Sequence, residues 1–318
     1  MLLFSLDQAN RAFAEALGRE LDITLAPHEE RSFEDGERKL RPLVDPRGED
    51  VYVLLGLHGD REESPHDKLL KLWMFIATLR DHGARRVTAV VPYLAYARKD
   101  RRTKPYDPLG LRVVAQLFES VGTAQIIVLE VHNPAALENA FRIPAVHLES
   151  RHALQSAVLG SLGSGLLAIA SPDPGGVKRA QLWREDLEHA LRRPVGFALV
   201  DKRRSAGLLG GGDLVAGSVD GATVVLFDDL ISSGETLRRA ASALRRAGAA
   251  RLIACAAHGL FMGEAADILA NAGLDEVIVT DSVPAFRLPA GHRVPLQVTT
   301  CVPILAQALR DSHTSWTA

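Results

Sequence analysis

The chain has 318 residues, which is enough for two domains that each bury a core. Its contents of 47% hydrophobic and 24% charged residues are typical of a soluble globular protein. Its net charge of -2 gives no basic field that would attract nucleic acid. The two cysteines, Cys255 and Cys301, lack metal-ligand spacing and indicate structural thiols in a reducing compartment. We find no signal-peptide pattern and no apolar run of membrane-spanning length, and therefore predict a cytoplasmic protein without membrane segments.

Strands and helices alternate along the predicted chain. In the first half, the predicted strands are 51–57, 87–92 and 125–131, and the predicted helices are 66–82 and 108–121. In the second half, the predicted strands are 166–171, 195–200, 222–227, 252–257 and 276–280, and the predicted helices are 175–191, 235–247, 264–272 and 302–311. This alternation predicts an α/β fold of doubly wound, mainly parallel sheets flanked by helices. A helix–glycine–strand joint at 79–87 is echoed at 244–252, which favours two similar domains, 1–150 and 151–318.

The stretch from Val224 to Thr236 carries the strongest chemical signal: a buried strand, two acids, a short loop and a helix. The loop Ser232–Gly234 directs unpaired amides and the positive end of a helix dipole at its ligand, which predicts a phosphate site. Asp228 and Asp229, at the carboxyl end of the strand, would meet ribose hydroxyls or a hydrated magnesium ion. The alternative is an ordinary strand-to-helix turn with incidental acids.

This stretch is similar to the phosphoribosyl-pyrophosphate loop of phosphoribosyltransferases and of ribose-phosphate diphosphokinases, and alone it does not separate the two families. The resemblance implies that Asp228 and Asp229 bind the ribose hydroxyls, directly or through magnesium. It also implies that the 5-phosphate of ribose 5-phosphate is bound by Ser232, Ser233, Gly234, Glu235 and Thr236. The diphosphokinases usually have Asp-Thr-Gly-Gly-Thr where this chain has Ser-Ser-Gly-Glu-Thr, and we expect the Glu235 side chain to point outward.

Two stretches in the first half resemble the diphosphokinases alone. By itself, the acidic turn Phe33–Glu37 would be a solvated hairpin tip, but it matches an element that reaches the nucleotide of a neighbouring subunit. The resemblance implies that Phe33 stacks on adenine and that Asp35 and Glu37 accept hydrogen bonds. Such a composite site requires at least a dimer, and the hexamers of the family suggest a larger assembly.

The second such stretch is the basic loop 97–104, which follows a strand and resembles the Pro-Tyr-x-x-Tyr-Ala-Arg-Gln-Asp-Arg segment of the family. Guanidinium groups there would bind ATP phosphates in bidentate fashion. The resemblance implies that Arg98 is such a ligand, and Lys99 stands where the family usually has glutamine. Without the resemblance, the alternative is a solvated basic loop.

Three further stretches carry the proposed metal and catalytic residues. His132 matches the histidine of the Asp-Leu-His element and Asp173 the acid of Pro-Asp-x-Gly-Gly-x-x-Arg-Ala, so the resemblance assigns both to Mg²⁺ and His132 also to ATP. A basic triplet before three glycines, at 202–212, resembles the catalytic flexible loop. The resemblance assigns Lys202 and Arg204 to stabilising charge on the diphosphoryl group in transfer.

The resemblance runs in order from Phe33 to the C-terminal helix, and it implies a ribose-phosphate diphosphokinase that uses ATP and ribose 5-phosphate. The expected products are 5-phosphoribosyl 1-pyrophosphate and AMP. Two alternatives come from other classes: a non-catalytic regulatory homologue, and a phosphoribosyltransferase that consumes phosphoribosyl pyrophosphate. The presence of His132, Asp173 and Lys202 argues against the first, and the additional N-terminal domain argues against the second.

Overall fold

The computed structural model describes residues 1–201 and 214–317. The chain divides into two compact units, Met1–Glu149 with Cys301–Ala318 and Ser150–Thr300. The prediction 151–318 had placed the C-terminal segment in the second domain, whereas the structure groups it with the first unit. No helix in the described ranges has both the length and the apolar character that crossing a membrane requires.

The elements of the chain alternate as predicted and include several that the sequence did not reveal. Up to Glu149 they are β1 (Leu2–Ser5), α1 (Arg11–Glu20), β2 (His28–Ser32), β3 (Arg38–Pro42), β4 (Asp50–Leu54), α2 (Pro65–Asp81), β5 (Arg86–Val91), α3 (Gly110–Ser120), β6 (Gln125–Leu129), α4 (Pro134–Ala140) and β7 (Ala145–Leu148). From Ser150 onward they are α5 (Arg151–Ser161), β8 (Leu167–Ser171), α6 (Val177–Leu191), β9 (Gly196–Asp201), β10 (Leu214–Ala216), β11 (Thr223–Ile231), α7 (Glu235–Arg246), β12 (Arg251–Gly259), α8 (Ala265–Ala270), β13 (Glu276–Thr280), β14 (Leu296–Thr299) and α9 (Val302–Thr317).

The first unit contains a parallel sheet in the order β1-β4-β5-β6-β7, with helices on both faces. On one face, Val51 and Val53 of β4 join a core with α2 and α3. α2 begins at a capping box, in which Ser64 accepts from the Asp67 amide and the Asp67 carboxylate accepts from the Ser64 amide. The hairpin β2–β3 forms a separate two-stranded antiparallel sheet.

A buried polar network ties α9 to the opposite face of this sheet. The Ser312 hydroxyl donates to Gln125 Oε1 at 2.5 Å, and His313 Nδ1 lies 3.3 Å from Asp50 Oδ2. Burial alone would raise the pKa of Asp50, but hydrogen bonds from Arg86 and Arg85 hold it well below its usual range. These contacts connect residues far apart in sequence, so they account for the grouping of α9 with the first unit.

The second unit contains a sheet in the order β10-β9-β8-β11-β12-β13-β14, in which β10 is antiparallel to β9 and the other neighbours are parallel. One face packs against α7 and α8, with Leu237, Leu244 and Leu269 in the core. The other packs against α5 and α6, where Trp183 meets Phe227 edge-on at 4.5 Å between ring centroids. The predicted α/β class, with mainly parallel sheets flanked by helices, is therefore confirmed.

Candidate active site

In the second unit, the predicted phosphate loop follows β11. This strand continues to Ile231, beyond the predicted end at 227, and pairs with β12 over that extension while its pairing with β8 stops at Leu226. Gly234 has φ +82° and precedes the first residue of α7. The positive φ favours glycine there, and a Cβ on Gly234 would also crowd the Leu269 side chain at 3.0 Å. The first-turn amides of α7 lack intrahelical acceptors and suit an anion.

Asp228 and Asp229 lie on the extension of β11, where Asp229 is buried and Asp228 is partly buried. The Asp229 amide donates to Asp228 Oδ1 at 2.9 Å. Burial, followed by the neighbouring charge of Asp229, raises the pKa of Asp228 well above its ordinary value. Arg179 Nη1 of α6 lies 3.8 Å from Asp229 Oδ1 and supplies a nearby positive charge. Arg179 was not among the predicted site residues, although it is the arginine of the Gly-Gly-x-x-Arg-Ala segment that follows Asp173.

The Glu235 side chain pairs with a cation of its own helix. Its carboxylate accepts from Arg238 Nη2 at 2.7 Å across the first turn of α7, and both side chains are half exposed. The ion pair offsets the negative charge that this chain places beside its predicted phosphate loop. The outward orientation expected from the sequence agrees with this geometry.

Asp173 follows β8 and is fixed by a short 3-10 helix at Pro174–Gly176. Its Oδ1 accepts from the amides of Gly175 and Gly176 at 2.8 and 3.2 Å. Both of these amides donate to Oδ1. Oδ2 accepts no hydrogen bond from the described residues and is available to a ligand. A Cβ on Gly176 would lie 2.7 Å from Ser171 Oγ, so a side chain there would displace the loop.

In the first unit, the acidic turn forms the tip of the hairpin β2–β3. The Phe33 amide donates to the Glu37 carbonyl at 2.8 Å, and Asp35 Oδ1 accepts from the Glu37 amide at 3.1 Å. The Phe33 ring is 42% exposed and lies 5.2 Å from the Arg31 guanidinium carbon. The tip thus presents an aromatic ring and two carboxylates to solvent.

The basic loop between β5 and α3 is organised by Asp107. Its Oδ2 accepts from Lys99 Nζ at 2.5 Å and from the amides of Thr103 and Lys104 at 3.0 Å each. The hydrogen bonds of Lys99 and then Thr103 hold the pKa of Asp107 far below its usual range. Lys99, predicted to bind ATP, is engaged within the loop, whereas Arg98 is exposed.

Tyr96 lies in the loop after β5, and His132 lies in the loop after β6. Tyr96 has φ +65°, and its hydroxyl lies 2.5 Å from His66 Nδ1. His132 is exposed and follows Glu130, a buried residue with φ +38°. The Asn133 amide group donates to Asp100 Oδ2 at 2.8 Å, which links the loop after β6 to the basic loop.

The predicted residues fall into two sets, one in each unit. Phe33, Asp35, Glu37, Arg98, Lys99 and His132 belong to the first unit, and Asp173, Asp228, Asp229 and 232–236 belong to the second. Lys202 and Arg204 lie outside the described residues. Within the described part of the chain, no group of three or more His, Cys, Asp or Glu side chains is placed to hold a metal ion.

Comparison with known proteins gives consistent matches along the chain. The family described as the N-terminal domain of ribose phosphate pyrophosphokinase matches residues 1–122, and the phosphoribosyl synthetase-associated domain matches residues 213–315. A ribose-phosphate pyrophosphokinase of Aquifex aeolicus is 32% identical over 302 residues, covering 95% of this chain and 93% of the relative. That of Gloeobacter violaceus is 34% identical, covering 98% and 90%.

Solved structures agree with these sequence relatives. The crystal structure of phosphoribosylpyrophosphate synthetase from Mycobacterium smegmatis matches with a TM-score of 0.86 and 29% identity, covering 99% of each chain. Together with relatives above 30% identity over almost the whole length, this match identifies the family. The chain belongs to the ribose-phosphate pyrophosphokinase family.

Proposed function

We infer that the protein is a ribose-phosphate diphosphokinase. It transfers the β,γ-diphosphoryl group of ATP to the C1 hydroxyl of ribose 5-phosphate and forms 5-phosphoribosyl 1-pyrophosphate and AMP. The observation that carries this function is the full-length similarity to ribose-phosphate pyrophosphokinases, combined with a glycine-containing loop and helix N-terminus directly after two acidic residues. The C1 hydroxyl attacks the β-phosphorus in line, and AMP leaves.

The sugar phosphate binds in the second unit. The amides of Ser232, Ser233, Gly234, Glu235 and Thr236 bind the 5-phosphate, because the start of α7 supplies unpaired donors and a positive dipole end. Asp228 and Asp229 accept hydrogen bonds from the ribose hydroxyls, which orients the C1 hydroxyl toward ATP. The positive charge of Arg179 keeps Asp229 suited to accept those bonds.

ATP binds through residues of the first unit. The exposed ring of Phe33 stacks on adenine, and Asp35 and Glu37 accept hydrogen bonds, in a site completed by a second copy of the chain. The exposed Arg98 binds phosphate oxygens. Lys99 acts indirectly, since its ion pair with Asp107 fixes the basic loop that carries Arg98.

Mg²⁺ fits the residues present. Asp173 would hold Mg²⁺ in the second unit through Oδ2, and the exposed His132 would contact the Mg²⁺–ATP bound by the first unit. Few protein ligands are needed, since Mg²⁺ keeps several waters and substrate phosphates. When bound, it neutralises charge on the transferred phosphates. Lys202 and Arg204 are proposed to stabilise the remaining charge.

Product analysis tests this function. Purified protein is incubated with ATP, Mg²⁺ and ribose 5-phosphate in a buffer near neutral pH, and the nucleotides are then separated. AMP that forms only with the sugar phosphate, in equal amount to the pyrophosphorylated sugar, is the expected result. ADP as the product would contradict the mechanism, and consumption of phosphoribosyl pyrophosphate with a free base would favour a phosphoribosyltransferase.

A further inference from the structure

The orientation of the hairpin β2–β3 depends on its side-chain contacts with the rest of the first unit. In the described part of the chain its two strands pair only with each other, and an isolated two-stranded hairpin is marginally stable. Leu40 of β3 is buried in the core of the first unit, but the tip Phe33–Glu37 is exposed. The direction of the tip therefore depends on the contacts between the hairpin strands and the rest of the first unit.

Four charged side chains form a closed network between the hairpin and α2, which we call the base network: Glu30 of β2, Arg38 of β3, Glu63 of the loop before α2, and Lys71 of α2. Arg38 Nη1 donates to Glu30 Oε1 at 2.6 Å and to Glu63 Oε1 at 2.5 Å. Lys71 Nζ donates to Glu63 Oε2 at 2.7 Å and lies 3.6 Å from Glu30 Oε1. Lys71 also donates to the carbonyl oxygen of Leu6 at 3.2 Å.

The base network is balanced and mostly desolvated. It contains two cations and two carboxylates, and the Lys71 and Glu63 side chains are only 1% and 8% exposed. Loss of one member leaves a buried charge without its partner, which is costly at such sites. Glu63 uses both carboxylate oxygens and contacts Arg38 of the hairpin and Lys71 at 2.5 and 2.7 Å, whereas the direct contact between Lys71 and Glu30 is 3.6 Å. Glu63 therefore makes the shortest charged link between the hairpin and α2.

We propose that Glu63 is a positioning residue that holds the hairpin tip in the direction required for nucleotide binding. This inference rests on the proposed function, because it assigns the tip to ATP. Arg38 directly follows Glu37, the last residue of the tip. A displacement of Arg38 on loss of its contact with Glu63 would therefore move the tip as well. Neither Glu63 nor Lys71 lies in the tip, and both act through Arg38.

The hairpin also provides a matched control. Glu29 accepts from Arg41 on the more exposed side of the same hairpin, and this cross-strand ion pair makes no link to α2. Glu29→Gln therefore removes one carboxylate from the same strand as Glu30 without touching the base network. Exposed pairs of this kind contribute little to stability.

The first experiment is steady-state kinetics of the full-length enzyme, with AMP formation measured against ATP and against ribose 5-phosphate. In Glu63→Gln we expect the KM for ATP to rise about tenfold, with kcat and the KM for ribose 5-phosphate within about twofold of wild type. Glu29→Gln keeps all three values. Unchanged KM for ATP in Glu63→Gln, or an equal rise in both KM values, would overturn the positioning role.

A double variant separates positioning from loss of folding. Glu63→Gln with Lys71→Gln leaves the Glu30–Arg38 pair and removes the one cation that Glu63→Gln leaves unmatched, so its thermal stability should exceed that of Glu63→Gln. It still lacks the charged bridge to α2, and we expect its KM for ATP to remain raised. Recovery of the wild-type KM for ATP in the double variant would refute the role of Glu63.

Hydrogen exchange gives a measurement that does not depend on turnover. The Phe33 amide, bonded to the Glu37 carbonyl, should exchange about tenfold faster in Glu63→Gln than in wild type or Glu29→Gln. Equal exchange in all three proteins would reject the positioning role. Absence of AMP from wild-type protein would instead count against the proposed function, so the two failures are distinguishable.

Discussion

Replacing Arg179 with methionine removes the cation that lies beside the two aspartates of the sugar site. Arg179 Nη1 and Asp229 Oδ1 are 3.8 Å apart, and the side chains are 13% and 9% exposed. Two unit charges at this separation interact by about 4 kcal/mol at an effective dielectric constant of about 20. Hydration and relaxation reduce the net loss to ~2 kcal/mol, which corresponds to a fall of about 30-fold in kcat/KM for ribose 5-phosphate.

The assay measures AMP formation with ribose 5-phosphate varied at saturating ATP. The KM for ATP should stay within about twofold of wild type, because Arg179 contacts the sugar site rather than the hairpin tip. Arg184→Met is the control, since it removes an ion pair with Glu188 from the same helix. Wild-type kcat/KM for ribose 5-phosphate in Arg179→Met would refute the reasoning, as would an equal loss in the control.

Three further predictions concern Lys202, the buried charges and the composite site. Lys202→Ala should lower kcat at least about 100-fold while calorimetry still detects ATP binding; equal loss of both would contradict a catalytic role. Asp60→Asn removes the ion-pair partner of the buried Lys68, so chemical denaturation should show a loss of about 3 kcal/mol in the free energy of unfolding at neutral pH. Burial raises the pKa of Asp60, but hydrogen bonds from Lys68 and backbone amides lower it to about 2. The stabilisation from the Asp60–Lys68 pair is therefore complete above the unfolded pKa near 3.8 and is lost as pH falls through about 2. Mixing Phe33→Ala with Lys202→Ala subunits should restore up to about a quarter of wild-type activity if the tip serves a neighbour, and no recovery would indicate a site within one chain.

The alternating architecture was readable because buried parallel strands have a simple sequence signature. Runs such as 87–91 and 125–129 are apolar and β-branched, and each is followed by a loop at the carboxyl end of the sheet, where ligand residues collect. The strand before Asp228 was recognised for the same reason. Its true end at Ile231 was not, because only β12 pairs with the extension and the acids resemble a loop.

The hairpin and its anchoring could not be predicted from the pattern of residues. Its strands, HEERS and RKLRP, are polar on both faces and show no clean alternation of apolar residues. Lys71 lies between Leu70 and Leu72 in α2, and a lysine in such a helix is ordinarily assigned to the solvent-facing side. Its burial follows from Glu63 and Glu30, two partners that tertiary structure brings to it.

The return of α9 to the first unit is likewise a tertiary effect. Ser312 and His313 find their partners in β6 and β4, nearly two hundred residues or more away along the chain. Arg179 differs, because a cation in the first turns of a helix after an acidic strand end is a signal that sequence can provide. The glycines before it favour the prediction of a metal site at Asp173, which leaves Arg179 without an assigned role.

The most direct test of the central claim follows the phosphates of ATP individually. ATP labelled at the β-phosphate is incubated with the enzyme and ribose 5-phosphate, alongside ATP labelled at the α-phosphate. Transfer of a diphosphoryl group predicts that the β label moves to the sugar product and the α label stays in AMP. A β label that remains in a nucleotide diphosphate, with only the γ-phosphate on the sugar, would contradict the account.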